Sequence, residues 1–381
     1  MNANNDLNMD ISRRNMLRYS AAAGAGGLMM GSPLQASAMK AGKARSVIQI
    51  WMWGGPSHLD TFDPKPDAGA DYCGPYTTPI ETNVDGIRIC QRLPLLAKQA
   101  DKYSIIRSMT HGINAHETAS YVTQTGRPVG GEVYPAAGAV VSRFKGVDAG
   151  YGGLIPPYIV LTKPQGRFSE SGFMGLRYKP FATGGKPSAP IFAVEGVIQN
   201  GITQLRQRDR RELLHNLETY GNKMKGNPAF RQMDLCEEQA YELILGDAGK
   251  VFDIKTEDEK LRERYGRSDF GASCLIARKL VEARVPYITI NYQGWDTHKK
   301  HFDIMNNKLT ELDRGFSTLL DDLDQRGLLD STIVWWGGEF GRGPKIQHEA
   351  PWNDGRSHYG KCFSHVVAGG GFQGGHSKCN Y

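Results

Sequence analysis

Two short motifs at the ends of one predicted helix decide the fold of this chain: GWDTH (294–298) and GGEFGR (337–342). An apolar run precedes the first motif at 285–292, and another leads into the second at 331–336. Between them, apolar residues recur at alternating steps of three and four, which predicts one long helix with a single apolar face. These residues are Phe302, Met305, Leu309, Leu312, Phe316, Leu319 and Leu323. Two parallel strands joined in this way end at the same edge of a sheet.

Metal-binding residue types follow both predicted strands. Asp296 and His298 come after the first strand, and Glu339 comes after the second. We therefore expect a polar site at the carboxyl edge of the sheet, where open α/β sheets place their ligands. Asp, Glu and His together suit Zn²⁺, Mn²⁺ or Ca²⁺. The alternative is that Asp296 and Glu339 are helix caps or plain loop carboxylates.

The rest of the sequence predicts a three-layer α/β/α fold with a mostly parallel sheet. Strands are predicted at 46–53, 103–109, 156–161 and 363–368, and helices at 93–100, 116–125 and 270–283. The strands are nearly continuous apolar runs that alternate with helices, which is typical of a sheet covered on both faces. We expect a single domain over 46–381, with the segment 163–265 as an insertion or lid.

The first 38 residues read as a twin-arginine export signal. SRRNMLR (12–18) is followed by a Gly- and Ala-rich run at 19–30 and by ASA (36–38), which predicts cleavage after Ala38. The apolar run is too short to span a bilayer as a permanent anchor. We expect a periplasmic or secreted protein whose partners include the twin-arginine export machinery.

Composition excludes some other classes of function. The chain has 381 residues, 40% of them apolar and 23% charged, which is enough for a packed core. A net charge of +6 that is scattered along the chain does not indicate nucleic-acid binding. The six cysteines have no metal-type spacing. If a disulfide forms, Cys73 with Cys90 is the expected pair, whereas Cys274 has the position of a core thiol.

Six motifs together resemble the alkaline phosphatase and sulfatase superfamily. The closest resemblance is to the uncharacterised sulfatase-like family catalogued as domain of unknown function 1501. The motifs are GGPSHLDTFDPKP (54–66), IRSMTH (106–111), GWDTH (294–298), RGLLDSTIV (326–334), GEFGR (338–342) and GRSH (355–358). The resemblance implies an alkaline phosphatase-like fold, one or two divalent metals at the sheet edge, and hydrolysis of a phosphate or sulfate ester. A small molecule or a glycan ester would be the substrate.

The resemblance also implies a ligand set. Glu339 falls where the superfamily has an Asp ligand, and Phe340 replaces the His ligand that follows it. Asp296 and His298 fall near the Asp and His that hold the second metal. His358 resembles the late His ligand.

The first strand lacks the usual terminal Asp of the superfamily. Asp60 or Asp63 from the following loop would have to substitute as a ligand. We take Asp60 as the fifth candidate metal residue.

The position of the superfamily nucleophile falls on His116, counting back from Thr125-Gly126. His116 is therefore a candidate nucleophile, metal ligand or substrate-positioning group. His111 and His116 are also candidates for a general acid or base. Ser57 is a candidate nucleophile or a turn residue after Pro56.

Three arginines, Arg107, Arg127 and Arg342, are candidates to hold a dianionic substrate by bidentate contacts. The second hypothesis for function is a catalytically inert, sulfatase-like binding protein of the periplasm or cell envelope. The resemblance further implies a strand and a helix beyond the glycine-rich stretch at 369–375. The chain is thus expected to be a fragment, to have a frameshifted end, or to be a truncated paralogue.

Overall fold

A computed structural model describes residues 43–163, 170–189 and 247–378, together with residues 192, 206, 209, 212 and 213. Its strands are β1 Ser46–Met52, β2 Ile80–Glu81, β3 Arg88–Ile89, β4 Tyr103–Met109, β5 Tyr158–Leu161, β6 Phe181–Ala182, β7 Tyr287–Tyr292, β8 Thr332–Gly337, β9 Gly341–Arg342, β10 His358–Tyr359, β11 Phe363–Ala368 and β12 His376–Lys378. Its α-helices are α1 Ala70–Cys73, α2 Pro94–Ala97, α3 His116–Thr125, α4 Ala137–Val141, α5 Glu259–Tyr265, α6 Asp269–Glu282 and α7 His301–Gln325.

Eight strands form one central sheet in the order β12-β4-β11-β8-β1-β7-β5-β6. The strand β1 lies in the middle and pairs in parallel with both β7 and β8. All of its residues but one are buried, which explains why it reads as an unbroken apolar run. The expected mostly parallel sheet is confirmed.

One strand of the sheet departs from the parallel direction. β11 pairs antiparallel with β8 on one side and with β4 on the other. An apolar run carries no information on strand direction, so the sequence predicted this strand without its orientation. Beyond the glycine-rich stretch, β12 pairs in parallel with β4 at the edge of the sheet.

Helices cover both faces of the sheet, as expected. On one face, α6 and α7 bury their apolar residues against side chains such as Ile48 and Ile288. On the other face, Tyr158, Val160 and Tyr287 pack against the short helix α4. Flanking helices on both faces make this a three-layer α/β/α fold.

The long helix α7 matches its prediction closely, and both of its ends are fixed by backbone contacts. The N–H of Leu328 bonds the carbonyl of Leu323, and Gly327 has a φ of 66°, which makes a Schellman end. At the start, the N–H of His301 bonds the carbonyl of Asp354. The first turn of α7 is therefore attached to the loop that carries the GRSH motif.

Cys73, Cys90 and Cys274 are free thiols. Cys73 and Cys90 are both buried and do not form the expected disulfide. The Cys73 thiol instead lies 2.8 Å from the carbonyl oxygen of Lys65. Cys274 is fully buried on the apolar face of α6, in agreement with its predicted place in the core.

Two other predictions concern residues that the structure covers only in part or not at all. The export signal at 1–38 lies outside the described residues, as does most of the segment 163–265. Within the described part of the chain, no helix is both long enough and apolar enough to cross a membrane.

Candidate metal centre

The loops that follow β1, β7 and β8 meet at one edge of the sheet, because the three strands are parallel neighbours in register. Trp51 is aligned with Asn291 on one side and with Gly337 on the other. The backbone of Gly54 approaches the β7 loop so closely that a Cβ there would lie 2.2 Å from the Asp296 nitrogen. The φ of Gly54 is also positive, at 111°. Only glycine fits this contact.

Two histidines converge at this edge on a single oxygen atom of Asp296. The Nε2 atoms of His298 and His358 each lie 3.1 Å from Oδ1 of Asp296. The two Nε2 atoms are 2.8 Å from each other. The three atoms thus form a closed triangle with edges of hydrogen-bond length.

In their neutral forms, with one proton on each ring, the two histidines cannot satisfy every edge of this triangle. If His298 donates to His358, then Nε2 of His358 is unprotonated and its lone pair faces the carboxylate of Asp296. If both nitrogens carry protons, the two N–H groups face each other across 2.8 Å. Three electron-pair donors around one point are what a cation needs, and the edges suit metal–ligand bonds of about 2.0–2.1 Å.

His116, the first residue of α3, joins this group from the other side. Its Nε2 lies 3.3 Å from Oδ2 of Asp296. Ligand atoms of His116, Asp296 and His358 all lie within 4.8 Å of one another. Together with His298 they offer three imidazoles and one carboxylate.

Two acceptors behind the cluster orient its histidines. His358 Nδ1 lies 2.7 Å from the carbonyl oxygen of Asn114, which can only accept a hydrogen bond. His116 Nδ1 lies 2.7 Å from Oε1 of Glu339. With the proton on Nδ1, the neutral form of each ring turns an unprotonated Nε2 toward Asp296, as in metal sites whose histidines are backed by an acceptor.

The electrostatics of the cluster favour bound positive charge. Burial works to lower the pKa of His116, but hydrogen bonds with Asp296 and Glu339 outweigh it and raise that pKa to about 9. Burial opposes ionisation of Asp296 as well, yet contacts with His116, His358 and Arg342 hold its pKa well below the usual range. The raised pKa of His116 reflects the carboxylates on either side of its ring, and a metal ion on Nε2 would compete with a proton there.

Glu339, predicted as a ligand, occupies a different position. His116 lies between the two carboxylates, with Glu339 on its Nδ1 and Asp296 on its Nε2. Glu339 is fully buried and also accepts the N–H of Gly54 at 2.8 Å. Among the described residues, the group of mutually close ligand atoms consists of His116, Asp296 and His358, so it leaves out Glu339 and also His298, which joins the cluster through its contacts with Asp296 and His358.

Arg342, predicted to bind substrate, is fully buried. Its guanidinium donates to the carbonyls of Gly54, Gly55 and Arg356 and to Oδ1 of Asp296. These contacts hold the β1 loop and orient Asp296, and they leave the guanidinium no exposed edge.

Asp60, predicted as a further ligand, lies outside the cluster. Its carboxylate pairs with Arg356, with Nε at 2.8 Å and a terminal nitrogen at 3.1 Å. Nε2 of His301 lies 2.8 Å from the same carboxylate. All three side chains are at most 1% exposed, so they form a buried brace beneath the cluster. Arg356 and His301 were not predicted from the sequence, since an arginine in a loop and a histidine at a helix start carry no sign of burial.

Ser57, the candidate nucleophile, is 1% exposed. Its hydroxyl lies 3.4 Å from the N–H of Asp60, so it caps the turn after Pro56. This contact fits its interpretation as a turn residue.

His111 uses both ring nitrogens within the fold. Nδ1 accepts the N–H of Ile113 at 3.0 Å, so Nε2 carries the proton and donates to the carbonyl of Glu339 at 2.6 Å. The imidazole of His111 thus holds the backbone carbonyl of Glu339 in place.

The remaining two arginines also differ from each other. Arg107 donates to the carbonyls of Phe62 and Arg88 at 2.9 Å each, which ties β4 to the loop at Phe62 and to β3. Arg127 is exposed, with its guanidinium 5.5 Å from the ring centre of Tyr134. Of the three predicted substrate-binding arginines, Arg127 is the exposed one.

This fold and this cluster define an α/β protein with a histidine-rich candidate metal centre at the carboxyl edge of its sheet. The chain belongs to the family described as protein of unknown function DUF1501, whose model matches residues 44–380. A search of curated proteins gives no match.

Solved structures with a similar arrangement have low identity to this chain. The lipoteichoic acid synthase LtaP from Listeria monocytogenes is 8% identical, over 88% of this chain and 68% of that one, with a TM-score of 0.37. TAB5 alkaline phosphatase is 11% identical, over 86% and 92%, with a TM-score of 0.36. The PsFucS1 sulfatase from Pseudoalteromonas sp. is 12% identical, over 87% and 63%, with a TM-score of 0.33. At these scores the likeness says nothing about substrate or chemistry.

Proposed function

We propose that this protein is a divalent-metal-dependent hydrolase of a phosphate or sulfate ester that works outside the cytoplasm. The observation that carries the proposal is the triangle of Asp296, His298 and His358, whose three electron-pair donor atoms lie within 3.1 Å of one another. His116 completes the set. Such a cluster at the carboxyl edge of a parallel sheet lies where a ligand reaches it from outside.

The donor set favours a borderline transition metal over Ca²⁺. Three imidazole nitrogens and one carboxylate suit Zn²⁺ or Mn²⁺, whereas Ca²⁺ takes six to eight oxygen ligands. Zn²⁺ and Mn²⁺ therefore remain from the three metals expected from the sequence.

When bound, such an ion polarises a phosphoryl or sulfuryl oxygen and lowers the pKa of a coordinated water. The protein's own residues would do the rest. Trp53 and Phe340 pack their rings against His116, at centroid distances of 5.9 and 4.9 Å, and shield one side of the cluster from water. Of the three predicted substrate-binding arginines Arg127 is the exposed one, but it follows the end of α3 opposite to His116.

The remaining parts of the proposal rest on sequence. Residues 1–38 would direct export by the twin-arginine machinery into the periplasm or medium. A domain over 46–381, with 163–265 as an insertion or lid, would bind a small-molecule or glycan ester.

Metal content of the purified protein tests the proposal first. Wild type is compared with Asp296→Asn and with Asp303→Asn, a matched control for an exposed carboxylate in the first turn of α7. We expect one Zn²⁺ or Mn²⁺ per chain in wild type and in Asp303→Asn, and none in Asp296→Asn. The loaded proteins are then assayed with p-nitrophenyl phosphate, bis-p-nitrophenyl phosphate and p-nitrophenyl sulfate. A folded wild type that takes up neither metal rules the proposal out.

One observation favours the alternative, a catalytically inert binding protein of the periplasm or cell envelope. Two of the predicted catalytic groups, the Ser57 hydroxyl and the His111 imidazole, are engaged in contacts within the fold. Stoichiometric metal without turnover of any of the three esters, but with measurable binding of phosphate, sulfate or vanadate, would make this alternative the better account.

A further inference from the structure

We propose that Glu339 is a positioning residue that orients His116 toward the metal, and that it is not itself a metal ligand. This inference rests on the proposed metal-dependent function and deepens it. It also departs from the role that the sequence suggests for a carboxylate at this strand end.

The first step is the position of Glu339 relative to the cluster. Its Oε1 meets His116 on Nδ1, at 2.7 Å, whereas Asp296 meets the same ring on Nε2. The imidazole therefore separates the two carboxylates, and an ion bound on the Nε2 side has the ring between itself and Glu339. This is the arrangement of a carboxylate–histidine–metal triad, in which the carboxylate fixes the ring without touching the ion.

The second step is that Glu339 is itself held in place from both ends. Its Oε1 accepts the N–H of Gly54 at 2.8 Å, and its carbonyl accepts from Nε2 of His111 at 2.6 Å. The hydroxyl of Thr123 reaches the same carbonyl at 3.3 Å. A fully buried carboxylate with such support has one orientation, which it passes on to the ring of His116.

The other carboxylate oxygen, Oε2, is buried and has no hydrogen-bond partner. A ligand role for Glu339 would have to use this atom. The test must therefore distinguish two roles of Glu339: binding a metal ion through Oε2, and orienting the ring of His116 through Oε1.

Two substitutions separate these roles. Glu339→Gln keeps an oxygen acceptor for His116 and Gly54 but replaces Oε2 by a nitrogen that cannot bind a metal. Glu339→Leu removes both oxygens. Asp296→Asn is the reference for the loss of a true ligand, and retained secondary structure and cooperative unfolding are checked for every variant.

The metal readout is the dissociation constant for Zn²⁺, measured by competition with a chelator of known affinity. If Glu339 is a positioning residue, the Glu339→Leu variant still binds one Zn²⁺ per chain. Its affinity for Zn²⁺ is then about 10- to 100-fold weaker than that of wild type. The Zn²⁺ affinity of Glu339→Gln then lies between those of wild type and Glu339→Leu, because its side-chain oxygen still accepts a hydrogen bond from His116. If Glu339→Gln and Glu339→Leu both lose stoichiometric Zn²⁺ as Asp296→Asn does, Glu339 is a ligand and the inference is overturned.

A spectroscopic readout does not depend on metal at all. In metal-free wild type, the Nδ1–H of His116 is held by Glu339 and should give a protected imidazole proton signal in nitrogen-15-labelled protein, assigned by its loss in His116→Gln. We expect this signal in Glu339→Gln and its loss in Glu339→Leu. A signal unchanged in Glu339→Leu overturns the orienting role. A wild type that binds no metal but shows this pattern would defeat the proposed function while leaving the orientation of His116 by Glu339 established.

Discussion

The Nε2 atoms of His298 and His358 lie 2.8 Å apart, and both lie 3.1 Å from one oxygen of Asp296. Two ring nitrogens at this distance from each other and from a shared carboxylate oxygen are poorly satisfied by protons. They are well satisfied by a cation.

A bound metal is therefore expected to stabilise the folded protein. Zn²⁺ at about 1,000 times its dissociation constant should raise the free energy of unfolding by about 4 kcal/mol, because the unfolded chain lacks the assembled site. The measurement is Tm by calorimetry with and without Zn²⁺. His298→Gln and His358→Gln should shrink the shift, whereas His348→Gln, an exposed histidine outside the cluster, should keep it. Equal shifts in all four proteins would place Zn²⁺ elsewhere.

The brace of Asp60, Arg356 and His301 gives a second prediction, on stability. Arg356→Leu leaves the buried Asp60 carboxylate without its cation, which should cost about 3–5 kcal/mol of unfolding free energy. Arg267→Ala removes an arginine whose pairs with Glu259 and Glu263 are more than half exposed, and should cost less than about 1 kcal/mol. Urea unfolding of both variants measures the difference, and similar small costs would show that the brace contributes little.

The same brace predicts sensitivity to acid. Burial works to raise the pKa of Asp60, but Arg356 and His301 outweigh it and lower that pKa from 3.8 to about 2. A lowered pKa in the folded state means that the carboxylate stabilises the fold above about pH 4, and that this stability is lost as the pH falls toward 2. The loss amounts to about 2 kcal/mol at roughly 1.4 kcal/mol per unit. Unfolding free energies of wild type and Asp60→Asn at pH 4 and pH 2 check this, and Asp60→Asn should show the shallower dependence.

Gly54 should be intolerant of any side chain. Its φ of 111° and the 2.2 Å approach of a Cβ to the Asp296 nitrogen predict that Gly54→Ala displaces the β7 loop and weakens metal binding at least 10-fold. Gly86→Ala is the matched control, because Gly86 also has a positive φ, of 77°, but a Cβ there meets nothing within 4 Å. The control should lose about 1 kcal/mol of stability from backbone strain and keep its Zn²⁺ affinity. Unchanged Zn²⁺ affinity in Gly54→Ala would show that the contact does not shape the site.

The elements that build the site were predictable because their signals are local. The three- and four-residue steps of α7 lie within one stretch of chain, and the apolar runs of β1 and β8 need no knowledge of their neighbours. Asp296, His298 and His358 were likewise named from the sequence, and the structure brings them together.

The roles of other charged residues depend on contacts that no local pattern carries. Arg107 and Arg342 read as substrate-binding cations, yet both donate to backbone carbonyls within the fold. Asp60 reads as a ligand, yet it pairs with an arginine almost 300 positions away, at 356. Which nitrogen of His116 faces which carboxylate depends on how α3 packs against the loops that follow β7 and β8.

The residues of the cluster lie far apart in the sequence, and this distance determines when the site can form during synthesis. His116 and Glu339 meet across 223 positions, and His358 joins them from still further on. A ribosome must therefore have passed the codon for residue 358 before any chain can present the complete set of donors. A metal bound as proposed would therefore be acquired only after residue 358 has been synthesised.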